Sequence, residues 1–217
     1  MALLLLVAYA FGSSDRAAAQ AGGPQSRVLT VAETEALVRA VHYEGMPEQE
    51  AAQIGADGAA RLVEMLADPE EKQSHARILL ALGISGADGA FEAIRAFTER
   101  EVARAPVSGE LDRDTFRAWQ VLPFALGKLA PRDPRALAQL AECFDAAAPD
   151  WKFRHFDGPR LQGLERRAAA AALAETAMPE ALRMLDAVER RGADPGLEAH
   201  VRAVRAEVLS RAAGAQR

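Results

Sequence analysis

The chain has 217 residues, enough for one or two domains, and half of them are hydrophobic although only 6% are aromatic. It carries 26 basic and 31 acidic residues for a net charge of −5, which excludes a general nucleic-acid binder relying on a positive field. One cysteine, Cys143, excludes an intramolecular disulfide.

Much of the apolar content is alanine, the best helix former, so composition points to helices rather than strands. At the N-terminus, Leu3, Leu4, Leu5, Leu6 and Val7 form an apolar run too short to span a membrane. Small residues at Ala19 and Ala21 follow, before Gly22-Gly23-Pro24. This order matches an export signal over residues 1–21, although no basic residue precedes the run and Asp15 and Arg16 follow it. A buried or frayed hydrophobic N-terminus is the other reading. Residues 22–29 read as a flexible leader.

Thr30 and Glu33 have capping-box spacing and open a first helix with Leu37, Ala40 and Val41 on one face. Met46-Pro47 interrupts it. Ala59, Leu62, Val63 and Leu66 follow helical periodicity between Asp57 and Asp68-Pro69, and Ala76, Leu79, Leu80 and Gly83 repeat it. Ala90, Ile94 and Phe97 mark the next helix, with Asp88 as its expected start. Ala118, Leu122, Ala125, Leu126 and Leu129 mark another, with a kink expected at Pro123. Asp133-Pro134 opens the helix of Leu137, Leu140, Ala141 and Phe144, and Cys143 falls in this apolar pattern as a small core residue. Leu161, Leu164, Ala168 and Ala172 come next. Pro179 precedes Ala181, Met184, Leu185 and Val188; Asp194-Pro195 precedes Leu197, Val201, Val204 and Val208. No stretch alternates with period two, so no strand is expected.

The pattern repeats. Gly55-Ala56-Asp57-Gly58-Ala59 recurs 31 residues later as Gly86-Ala87-Asp88-Gly89-Ala90. Ala81-Leu82-Gly83 recurs as Ala125-Leu126-Gly127, with a weaker echo at Ala172-Leu173-Ala174. Each copy reads as a helix ending in the alanine-leucine step, a short turn and a second helix. Such a hairpin cannot bury its apolar face alone and stacks on its neighbours. At these residues the chain resembles the HEAT-repeat family, in particular short bacterial HEAT-like repeats. The resemblance covers about Gly55 to Phe144, is weaker over Leu161 to Val188, and does not include the leader. It implies an all-α fold, a right-handed α-α superhelix (solenoid) of antiparallel helical hairpins over residues 30–212, with a disordered tail at 213–217.

No nucleophile elbow, phosphate loop or paired metal-ligand histidines stand in the sequence, so no catalytic or metal residue is assigned and no cofactor is expected. Asp112-Arg113-Asp114 reads as a helix cap rather than a Mg²⁺ site. One segment is unusual. Trp151, Phe153, Arg154, His155 and Phe156, with Arg160 beyond, bring three of twelve aromatics and several basic groups into one inter-repeat loop. Two readings stand: the loop docks a partner through aromatic and arginine anchors, or its aromatics tuck the insertion onto the array. Docking through Arg154, His155 and Arg160 would favour an anionic group.

The functional expectation is an exported, periplasmic or secreted, non-enzymatic module for protein–protein interaction or scaffolding. Its partner would be a protein or peptide, not nucleic acid, and the mature chain would have no integral membrane span. The alternative is an enzyme on a similar helical array, tetrapyrrole lyase-like or a DNA base-excision enzyme. The acidic charge and the leader oppose the second, and no motif supports the first.

Overall fold

The computed structural model describes residues 27–103, 108–192 and 194–214. The expected export signal, most of the leader and residues 215–217 lie outside these. Among the described residues the fold is all-helical: ten α-helices and no strand, only isolated bridges.

The first helix, α1 (Val31–Arg39), starts at a complete capping box: Glu33 N–H donates to Thr30 Oγ1 at 3.3 Å and Thr30 N–H to Glu33 Oε2 at 2.9 Å. It ends sooner than the apolar spacing suggests, and Val41, expected on its inner face, is 70% exposed beyond it. Ahead of it, Leu29 donates to Gln53 O at 2.9 Å, so the last residue of the expected leader is held against the array. A single turn, α2 (Glu48–Ala51), follows Pro47. Next come α3 (Ala56–Ala67), a 3₁₀ turn at Pro69–Ser74, α4 (His75–Ser85), α5 (Ala90–Phe97) and a π turn at Thr98–Val102.

Neither Asp57 nor Asp88 opens its helix as the periodicity suggests. Gly55 is the N-cap of α3 and Asp57 lies in its first turn, where its charge suits the positive end of the helix dipole. Gly89, at φ 82°, is the N-cap of α5; this left-handed conformation suits a glycine and not the aspartate before it. The aspartate caps expected at Asp112-Arg113-Asp114, Asp133 and Asp194 stand where the sequence places them, and Asp157 adds one that the sequence reading did not name. Asp112 Oδ1 accepts from the N–H groups of Asp114 and Thr115 at 3.0 Å, opening α6 (Arg113–Leu129). Asp133 opens α7 (Pro134–Glu142), Asp157 opens α8 (Gly158–Thr176), and Asp194 caps α10 (Pro195–Gly214). Between the last two, α9 (Pro179–Arg191) starts at its proline with no side-chain cap. Pro123 leaves α6 one continuous element. At the C-terminus α10 reaches Gly214, into the stretch expected as tail.

The helices that carry the alanine-leucine step pack in succession, α4 on α6 and α6 on α8, and α8 packs on α10. A close approach of glycine to alanine recurs between these helices, tighter at the first than at the second. A Cβ placed on Gly83 would meet the backbone oxygen of Ala125 at 2.3 Å, and one on Gly127 would meet Ala172 at 3.1 Å. The glycine of each copy therefore lies against the alanine of the next, and its missing side chain is what lets the backbones approach. Around this seam Leu82, Ala125, Ala172 and Leu173 are almost fully buried. Dense burial of small and branched residues here stabilises the contact by removing apolar surface from water.

Helices α3, α5, α7 and α9 are tied to their neighbours by packing and side-chain contacts. The α3 helix packs on α5. The Arg135 guanidinium of α7 sits 4.6 Å over the Phe91 ring of α5 and pairs with Glu92 at 2.5 Å. Arg191 at the end of α9 reaches Asp145 beyond α7 at 2.6 Å. Arg132, in the turn after α6, donates to Ile84 O at 2.8 Å and so satisfies a terminal carbonyl of the preceding repeat. On α10, Arg205 pairs with both Asp186 and Glu189 of α9.

Candidate functional site

The Trp151–Arg160 segment is a tight turn between α7 and α8, built from two sets of backbone bonds. Phe153 and Phe156 exchange N–H···O bonds at 3.0 and 2.9 Å, closing the turn around Arg154 and His155. Lys152 N–H donates to Gly109 O at 3.0 Å, and Leu111 N–H donates to Lys152 O at 2.9 Å. The insertion before α6 and the insertion before α8, far apart in sequence, thus hold each other.

Aromatic stacking fixes the turn to α6. The Phe153 ring lies parallel to Phe116 with centroids 3.8 Å apart. Trp151, only 4% exposed, meets Trp119 edge-on at 5.3 Å, and Trp119 in turn stacks on Phe116 at 5.4 Å. Phe156 is half-buried beneath the His155 ring, 4.4 Å away. Of the six residues singled out in the sequence, the three aromatics therefore pack inward, and Arg154, His155 and Arg160 stay exposed together with Lys152.

The exposed groups have distinct surroundings. Arg154 takes φ 53°, the left-handed region, and its guanidinium lies 5.2 Å from the Phe153 centroid. Its backbone N–H donates to Glu110 Oε1 at 3.1 Å, so that carboxylate is directed at the backbone and not at the guanidinium. Arg160 donates to His155 O at 3.0 Å and lies 3.9 Å from Asp157 Oδ1. The sequence did not reveal the backbone pairing of Gly109 and Leu111 with Lys152 or the stacking of Phe116 and Trp119. Aromatic residues at 116 and 119, one helical turn apart, were the available signal.

A second feature is a cleft of about 360 Å³ where the two Gly-Ala-Asp turns meet, lined by Ile54, Gly55, Ala60, Val63, Gly86 and Asp88 among others. Val63, expected in the core, is 39% exposed at this cleft. The 31-residue repeat of the turn was its sequence signal.

The histidines outside the turn and the cysteine are engaged or shielded. His42, His75 and His200 each place Nε2 within 2.8–3.2 Å of a backbone carbonyl. Burial holds the His75 and His200 pKa values below the ordinary range. Burial pushes the Cys143 thiol up to about 12, with Glu165 adding to the effect, and the thiol donates to Gln139 O at 3.6 Å. Among the described residues no group of three His, Cys, Asp or Glu side chains is placed to hold a metal, and no helix is long and apolar enough to cross a membrane.

Comparison of the chain with protein-family models, with curated proteins and with solved structures finds no match.

Proposed function

We propose that this chain is a HEAT-like right-handed superhelix serving as a non-enzymatic interaction or scaffolding module, exported to the periplasm or the medium. The observation that carries the reading is the recurring close approach, Gly83 on Ala125 and Gly127 on Ala172, between helices that carry Ala81-Leu82-Gly83, Ala125-Leu126-Gly127 and the weaker echo Ala172-Leu173-Ala174. Equivalent contacts at equivalent positions are what a stacked array requires, and such arrays expose an extended surface to proteins or peptides. A rigidly stacked turn presenting charged side chains from that array adds to the reading.

The test is crosslinking in the native host, with the intact chain carrying a photoreactive residue at position 154, followed by mass spectrometry. Specific protein adducts absent from a control labelled at exposed Arg190 support the module. Adducts no different from that control defeat it. Export is checked in the same cells: the mature chain should begin at Gly22, and a chain retained inside with Met1 intact removes that part of the proposal.

A further inference from the structure

We propose that the turn from Trp151 to Asp157 recognises acidic peptide segments, with Lys152, Arg154 and Arg160 as its contact residues; this rests on the chain being an interaction module. Three observations converge on it.

First, the turn presents side chains and little else. The N–H and C=O of Lys152 and the N–H groups of Phe153, Arg154 and Phe156 are all engaged within the protein. Trp151 and Phe153 are turned into α6, and Phe156 is half-buried beside His155. What faces solvent is Lys152, Arg154, His155 and Arg160, with Asp157 as the one exposed carboxylate of the turn.

Second, the cations are available. Among the described residues no carboxylate lies within ion-pair distance of Lys152 or Arg154, whereas Arg39, Arg61, Arg135 and Arg205 each engage two. Arg160 has one carboxylate, Asp157, at 3.9 Å. A protein of net charge −5 thus keeps two cations, Lys152 and Arg154, without an ion-pair partner on one stacked turn.

Third, Arg154 occupies a left-handed backbone position. Glycine or asparagine takes this conformation more readily than arginine, so local backbone energetics do not favour an arginine here. Strained positions of this kind concentrate at ligand clamps.

The chemistry selects the partner. Guanidinium groups pair bidentately with carboxylates, and an aspartate- or glutamate-rich segment offers several at side-chain spacing. Duplex nucleic acid calls for many phosphate contacts along a broad positive surface, which an acidic chain with three cations at one turn does not provide.

The experiment is fluorescence anisotropy of a fluorescein-labelled Glu-Gly repeat peptide with the intact chain at low and high salt. Binding should weaken as salt rises, and Lys152→Glu with Arg154→Glu should weaken it roughly tenfold or more. Arg154→Gly should also weaken it while leaving the melting temperature unchanged or higher, because glycine relieves the left-handed backbone. The proposal is overturned by a wild-type chain that ignores the peptide, or by Arg154→Gly binding as well as wild type. It is equally overturned if Arg154→Gly melts early, which would make Arg154 a packing residue. Equal competition by duplex oligonucleotide or by phosphatidylserine vesicles would also end it, as would affinity indifferent to salt. Specific adducts in the crosslinking experiment with no peptide binding would remove this inference and leave the interaction module standing; absent adducts would remove the module itself.

Discussion

Gly83 of α4 lies so close to Ala125 of α6 that a methyl group on it would sit 2.3 Å from the Ala125 carbonyl oxygen. Backbone cannot move aside as a flexible side chain does, so Gly83→Ala should force the two helices apart. The expected loss is about 1–3 kcal/mol, against a helix-propensity gain of about 1 kcal/mol. At Gly127 the corresponding approach is 3.1 Å and partly to a side chain, so Gly127→Ala should be close to neutral. Urea denaturation of both variants checks the ranking; equal midpoints would mean that the seam is not held by glycine.

Trp151 separates packing from docking at the candidate site. Its side chain is buried against Trp119, and Trp151→Ala should cost about 3–5 kcal/mol through the cavity it leaves. The near-ultraviolet circular dichroism of the Trp pair should collapse while the far-ultraviolet helical signal persists at room temperature. A stability change below about 1 kcal/mol, typical of surface sites, would show that the turn is not anchored by this residue.

Two carboxylates make opposite contributions to acid stability. Hydrogen bonds from the Thr30 N–H and hydroxyl, with Arg27 beside them, hold Glu33 down to about 2. Its stabilising effect is therefore complete above the ordinary 4.5 and is lost as pH falls toward 2. Burial raises Glu165 above 4.5, only partly offset by Arg166. Its contribution is complete below 4.5 and declines as pH rises through the elevated value. Glu165→Gln should consequently melt higher than wild type at pH 7 and equally at pH 4. A lower melting temperature at pH 7 would mean that the charged carboxylate is net favourable where it sits.

Cys143 should be inert in the folded protein. With its thiol near 12, almost no thiolate exists at pH 8, so Ellman's reagent should react only after denaturation. Rapid labelling of the native chain would show that the helix α7 end opens readily to solvent.

Local chemistry accounts for most of what was legible beforehand. Helix periodicity, the Thr30–Glu33 box and the caps at Asp112, Asp133 and Asp194 depend on residues within a turn of one another, so they can be read along the chain. The Ala-Leu-Gly recurrence likewise marked the helices that pack in a row. Failures occurred where a competing local option existed. Asp57 and Asp88 looked like caps, but each has a glycine beside it that takes the cap position. Val63 fits the apolar stripe of α3, yet the turn at Gly86–Asp88 leaves it at the edge of a cleft.

The sequence alone determined that this chain is helical, where most of its helices begin, and which residues are alike from one helical hairpin to the next. Only the tertiary structure decided that Phe153 stacks on Phe116 while Arg154 faces water, and that Glu110 and Lys152 lie side by side. The reason is distance along the chain: helix formation is governed by neighbours three or four residues away, whereas the direction of a loop side chain depends on partners about 40 residues distant, which periodicity does not encode.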